Sequence, residues 1–406
     1  MACWVKTARK IALIGPLLIG AGGAVRAEPA TISITLAGQS MIRSDLRQSS
    51  PATLAAMSPL LGGDVKFTDF ETTIIEDGQP VGSGRNLSPP GALDALQALG
   101  FNLVALCNNH AFDLGATGIE NTLKEARKIN LVHAGIGANL AEASAPAYLH
   151  TANGTVALVA TSSGLLGPEA SATPTRPGVN ELRVETDGKP NEGKTEFPAS
   201  SRTVPVADDA RRILDSIGEA HKHAALVIAY QHNHVFNQNF TALFREEMPE
   251  RLVPPAWIRK WAHDEVDAGA DIVVMHGAPL LHGVEIYKGR PIFYDLGNFI
   301  FNLPPVPGES YLDEPIIWES AVAHVDFRDG KLKAISFQPI VMNKIGQGQP
   351  DFADPHANNL FLQTRGLPSS ATGDQARYIL QRLADASKEF GTVVKVKGGS
   401  AFIDLP

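Results

Sequence analysis

Cysteine is nearly absent from this chain, with two in 406 residues, Cys3 and Cys107. Once a leader carrying Cys3 is removed, only Cys107 is left. No intramolecular disulfide is then possible, and stability has to come from packing. Basic tracts are missing too: 35 Lys and Arg stand against 43 Asp and Glu, a formal net charge of −8. That balance excludes the electrostatic footprint of a nucleic-acid-binding protein. A long apolar run occurs once, IALIGPLLIGAGGAV after Lys6, Arg9 and Lys10. It is glycine-rich and falls short of the roughly 20 residues that span a bilayer. With Val25-Arg26-Ala27 behind it, it has the layout of a secretory signal peptide over residues 1–27, cleaved after Ala27. An uncleaved anchor is the alternative. Cys3 precedes the run, so no lipobox follows it. Removing the leader takes away Lys6, Arg9, Lys10 and Arg26 and no acid, moving the charge from −8 to −12. The expected location is therefore periplasmic or secreted.

What is present is the composition of a folded protein. Hydrophobic residues make up 44% and charged residues 19%, enough for a sizeable core. The length suits one large α/β domain with additions. Strand-like runs occur at 31–38, 65–74, 102–106, 130–135, 155–163, 225–231 and 271–276. The last two are β-branched and almost wholly apolar, as strands covered on both faces should be. Helical spacing recurs between them at 119–129, at 208–222 (Ala210, Ile213, Leu214, Ile217) and from Trp257 to Ala268. The alternation predicts an α/β architecture. Residues 164–205 break it: rich in Gly, Pro, Ser and Thr, they read either as a lid loop carrying Arg176 or as disorder. Further on, 321–342 reads as a hairpin turning at Asp329-Gly330. A helix over 374–389 and a short terminal strand follow. There is no internal repeat.

Five strand ends carry groups able to bind metal or substrate. They are Gly38-Gln39-Ser40 with Arg43, Asp45 and Arg47 beyond; Asp69-Phe70-Glu71; Asn108-Asn109-His110; Tyr230-Gln231-His232-Asn233-His234; and His276 with His282 and Glu285 beyond. Parallel strands bring their carboxyl ends to one edge, where ligands bind in open α/β sheets. Imidazole, amide oxygen and carboxylate together suit a divalent metal, and two bridged cations would hydrolyse an ester or amide. His232 and His234, two apart on a strand, share a face. Each site has a plainer reading: Asn109 as a helix N-cap, His110 as a structural histidine, and Asp295 and Asn298 as turn stabilisers.

These segments resemble the CapA family of capsule and poly-γ-glutamate synthesis proteins. The likeness is carried by NNHAFDLGATGIENT, HAGIGANLAEASAPAY, ADIVVMHGAPLLHGVE and GVEIYKGRPIFYDLGNFIF, over roughly residues 31–302. It implies a fold like the calcineurin-like metallophosphatases, a layered α-β-β-α sandwich with C-terminal strand and helix additions. Residues 28–345 would form that domain, with 164–205 as an insertion or lid, and 346–406 would pack on it. Carried over position by position, the family's metal-site pattern falls on Gln39, Glu71, Asn109, His110, His232 and His276. The sequence departs from the pattern at Gln39, where the family has Asp, and at Pro279, where it has a second His. Gly38-Gln39-Ser40 also lacks the Asp-x-His opening of ordinary calcineurin-like phosphoesterases.

The resemblance implies an exported protein of capsule or poly-γ-glutamate biosynthesis. The first expectation is a metal-dependent hydrolase acting on an anionic polymer or small phosphoester, with one or two Mn, Zn or Fe ions and a capsule-synthesis membrane complex as partner. His110, Asp113 and His234 are the expected catalytic groups, with Asp113 orienting His110. Arg43, Arg47 and Arg176 are the expected substrate contacts. The competing expectation is a non-catalytic polymer-binding or assembly subunit with a degenerate site and no metal.

Overall fold

The computed structural model describes residues 1–2, 31–79, 86–190, 201–236, 242–245, 253–305, 310–351, 353 and 359–405. The expected leader lies outside these apart from Met1 and Ala2. Among the described residues no helix is long and apolar enough to cross a membrane.

Two sheets organise a mixed α/β fold. The first runs in the order Val394–Lys397, Ser400–Ile403, Lys331–Met342, Glu319–Arg328, Thr31–Leu36, Val65–Asp69, Leu103–Ala105, Val132–Ala134. The last four of these strands are parallel. The second runs Val284–Tyr287, Arg290–Phe293, Ile272–His276, Leu226–Asn233, Gly154–Ser163, Ala147–Thr151, with its four central strands parallel. Uniformly apolar runs form these central strands because both faces are buried, and the core divides accordingly. Leu226, Ile228 and Tyr230 join the larger cluster, which also holds Ile34, Leu36 and Phe67 of the first sheet. Val227 and Ala229 join the smaller one, with Ile213 and Ile217 of the helix Ala207–His223 and Trp257 and Trp261 of the helix Ala256–Ala268. Alternate residues of one strand thus face the other sheet and the helices in turn.

Two segments differ from expectation. Within 164–205, Gly178–Val179 pairs with Ile136–Gly137, and Val184–Thr186 pairs with Lys189–Pro190 and Thr203–Pro205. Leu182 and Val184 anchor this stretch in the smaller core. Strands of two or three residues are too short to show a period, which is why the sequence hides them. The terminal strand is in fact a hairpin, turning at Gly398 and Gly399 with φ of 60° and 85°. Ser400–Ile403 pairs with Lys331–Met342, so the chain's last strands extend the first sheet.

Candidate metal centre

The site lies where carboxyl ends of both sheets meet. On the first sheet Asp69 pairs in register with Ala105. The chain beyond is held by backbone bonds from Phe70 N to Ala105 O (2.9 Å) and Glu71 N to Ser40 O (3.1 Å). Asn108 clamps the next loop: its amide donates to Phe70 O (2.7 Å) and Asp69 Oδ1 (3.2 Å), and its Oδ1 accepts from His110 N (3.0 Å). On the second sheet His232 pairs directly with His276. Tyr230, His232 and His234 share the strand face that looks toward the first sheet, since Tyr230 packs on Phe67 with ring centroids 5.4 Å apart.

Glu71, His232 and His234 form the one group of three His, Cys, Asp or Glu residues among those described whose ligand atoms all lie within 4.8 Å of one another. Asn109 completes it, with Oδ1 2.9 Å from His232 Nε2; Glu71 Oε1 is 3.7 Å from the same nitrogen. On the other side of the ring, Nδ1 stands 3.2 Å from the Tyr230 hydroxyl and 3.4 Å from Asp69 Oδ2. His232 and Asp69 are wholly buried.

Burial sets the electrostatics. It raises Asp69 against the lowering effect of Asn108 and Tyr230, and raises Glu71 further with help from nearby Asp69, Asp295 and Asp113. His232 is pushed down to about 3 by burial and then by His110. His234 and His276 are lowered chiefly by burial as well. A neutral imidazole carries one N–H; the Tyr230 hydroxyl, which can give or take a hydrogen, faces Nδ1, and oxygens of Asn109 and Glu71 face Nε2. With the hydrogen on Nδ1, a divalent cation or a half-turn of the Asn109 amide would satisfy Nε2. The donor set, one carboxylate, two imidazoles and an amide oxygen, is of the kind that would hold a divalent cation. Glu71 Oε2, Gln39 Oε1 and both ring nitrogens of His276 are buried without a hydrogen-bond partner among the described residues. Such atoms are costly unless something unites them.

The remaining expected residues are spread around this centre. Gln39 is held by its backbone N–H on Gly297 O (3.0 Å). His110 is partly exposed, and its Nδ1 is 3.1 Å from Asp113 Oδ2, which also accepts from Asn86 N. His234 carried a catalytic expectation; geometrically it belongs with Glu71 and His232. Arg43 is buried, with Nη1 3.4 Å from Asn86 Oδ1. Arg47 binds Asp45 and Asp94 at the surface, and Arg176 donates to Ser171 O within its own loop. Asp295, buried, accepts from Gly297 N (2.7 Å) and lines a small pocket with His276 and His282. Asp69 and Tyr230 stood within the strand ends singled out from the sequence but were given no role of their own; the two-residue spacing that grouped His232 with His234 also points back to Tyr230.

Comparisons with known proteins were made against this geometry. A family model described as "Bacterial capsule synthesis protein PGA_cap" matches residues 33–303. "Uncharacterized protein y4sH" of Sinorhizobium fredii is 28% identical over 429 residues, 85% of this chain and 87% of that protein. "PGA biosynthesis protein CapA" of Bacillus subtilis is 29% identical over 211 residues, covering 52% of this chain and 45% of that one. "Probable polyglutamine synthesis accessory protein MT0602" of Mycobacterium tuberculosis is 27% identical across 70% of this chain and 67% of its own length.

Proposed function

As the chain belongs to the bacterial capsule synthesis protein family PGA_cap, we propose that it is an exported, metal-dependent hydrolase acting on an anionic polymer or a small phosphoester in capsule or poly-γ-glutamate biosynthesis. The observation that carries the reading is the convergence of Glu71, Asn109, His232 and His234 on one point, with oxygens of Asn109 and Glu71 2.9 and 3.7 Å from His232 Nε2. These residues would hold a Mn, Zn or Fe ion, and Gln39 and His276 would serve a second. A cation bound there would supply Lewis-acid polarisation of the scissile group and activation of a water.

The chain's own groups do the rest. His110 is a partly exposed imidazole, and Asp113 holds its Nδ1. Its Nε2 then gives or takes the proton at the leaving group. We read the fold as a layered α-β-β-α sandwich over 28–345, with 346–406 packed on it. The leader 1–27 directs export to the periplasm or beyond, where a capsule-synthesis membrane complex is the partner. Arg43 and Arg176 lie on loops at the strand ends and are the proposed contacts for substrate anions, with Arg47 further out.

The second reading, a non-catalytic polymer-binding or assembly subunit, draws on Gln39, which brings an amide where the family pattern has a carboxylate. One experiment separates the two. The purified protein should carry Mn, Zn or Fe by elemental analysis and show metal-dependent phosphatase or amidase activity. His110→Ala should cut that activity by roughly 100-fold or more with metal content retained. Protein without bound metal and without such activity leaves the subunit reading standing. Full activity in His110→Ala removes His110 from the chemistry.

A further inference from the structure

A histidine that donates an electron pair from Nε2 must carry its hydrogen on Nδ1, and something has to hold it there. Around His232 that something is built from both sheets. Tyr230 lies two residues earlier on the same strand, with its hydroxyl 3.2 Å from His232 Nδ1. Its ring is fixed between Phe67 and His276, each with ring centroids 5.4 Å away. Asp69 comes from the opposite sheet. Its Oδ1 is tied to the Asn108 amide, and its Oδ2 is buried without a hydrogen-bond partner among the described residues, 3.4 Å from the same nitrogen. Nδ1 therefore faces a hydroxyl oxygen that can accept and an acid oxygen in need of a donor, and a hydrogen on Nδ1 suits both.

We propose that Asp69 and Tyr230 are positioning residues that lock His232 as the Nδ1–H tautomer, so that Nε2 faces Asn109 and Glu71 as a lone-pair donor to a divalent cation. The proposal rests on the metal reading of the centre, but it makes a statement about the metal-free protein as well. Neither residue touches the cation or the substrate. Their action passes through the imidazole.

The test uses the full-length protein, selectively labelled with ¹⁵N-histidine, beside Tyr230→Phe and Asp69→Asn. Tyr230→Phe keeps the ring packing and removes the hydroxyl. Ring ¹⁵N shifts of His232, assigned with a His232→Asn variant, report the tautomer without metal, and chelator competition with Zn(II) or Mn(II) reports affinity. The wild type should show a pyrrole-like Nδ1 and a pyridine-like Nε2. Tyr230→Phe should lose that preference and bind the ion about 10- to 100-fold more weakly, with Asp69→Asn changed in the same direction. An unchanged tautomer in Tyr230→Phe overturns the proposal, whatever happens to affinity, because a weaker site with the same tautomer reflects packing alone. If Tyr230→Phe proves too unstable to study, Asp69→Asn alone decides on the same two readouts. A wild type that binds neither ion sinks the metal reading, and the tautomer measurement still judges the role of Asp69 and Tyr230.

Discussion

Gly277 is the residue on which the second sheet's half of the site leans hardest. It follows His276 with φ of +130°, and a Cβ there would come 2.0 Å from Asn233 O. Neither the backbone angle nor the space admits another side chain. Gly277→Ala should therefore cost at least about 2 kcal/mol, measured as a lower urea midpoint, and should displace His276 and His234 together. An unchanged midpoint would mean that the two strand ends do not depend on this glycine. At this scale the sequence was legible where a residue's type announces its chemistry. Glu71, Asn109, His232 and His276 stood out because imidazole, amide and carboxylate at strand ends are unusual. Asp69 stood beside Glu71 at a strand end, but it faces His232 from 163 residues away in the chain, and no local spacing carries that pairing. Of the two acids that pair with Arg47, Asp45 is a sequence neighbour and Asp94 is not, so only half of that ion pair was visible locally.

Elements were more legible than residues, provided they were long. The periodic stretch at 208–222 is the helix Ala207–His223, and the Asp329-Gly330 turn joins Glu319–Arg328 to Lys331–Met342. Asp329 and Gly330 both have positive φ, 52° and 68°, as a two-residue hairpin turn needs. Burial periodicity made these calculable by eye. The helix Ala207–His223 also carries Asp208 and Asp209 in its first turn and His221, Lys222 and His223 in its last, in keeping with its dipole. Its hold on the second sheet runs through Ile213 and Ile217, both fully buried in the smaller core. Ile217→Ala should destabilise the protein by about 3 kcal/mol, read from chemical unfolding, with metal affinity unchanged because the helices cover the face opposite the site. A loss below about 1 kcal/mol would mean that this core collapses around the cavity. The strands of 164–205 stayed hidden for the reason the helices did not: too few residues for any period.

On the scale of the whole molecule, the buried centre leaves the metal-free protein squeezed from two sides. His133, His232, His234, His276 and His324 all sit below 6.5 because burial disfavours their charged form. The unfolded chain binds protons that the native state refuses, so stability is lost as pH falls below about 6.5. Asp69, Glu71, Glu265 and Asp295 are raised by the same burial. There the native state keeps protons that the unfolded chain releases, and stability is lost as pH rises above about 4 toward the folded values. A cation needs both kinds of group deprotonated. Added Mn(II) or Zn(II) should therefore raise the melting temperature little at pH 5 and increasingly toward pH 7.5, by calorimetry against a chelator control. A shift independent of pH would place the ion elsewhere.

The seam between the sheets has a consequence for how the molecule is fastened. Asn109 and His232 stand 123 residues apart in the chain, and an ion gripping both would close that loop while clasping one sheet to the other. That is the office a disulfide fills in many proteins, and this chain has Cys3 and Cys107 alone from which to make one. The clasp would be indifferent to reductants and would open to chelators instead. The protein's durability would then follow the supply of metal and not the redox state of its surroundings.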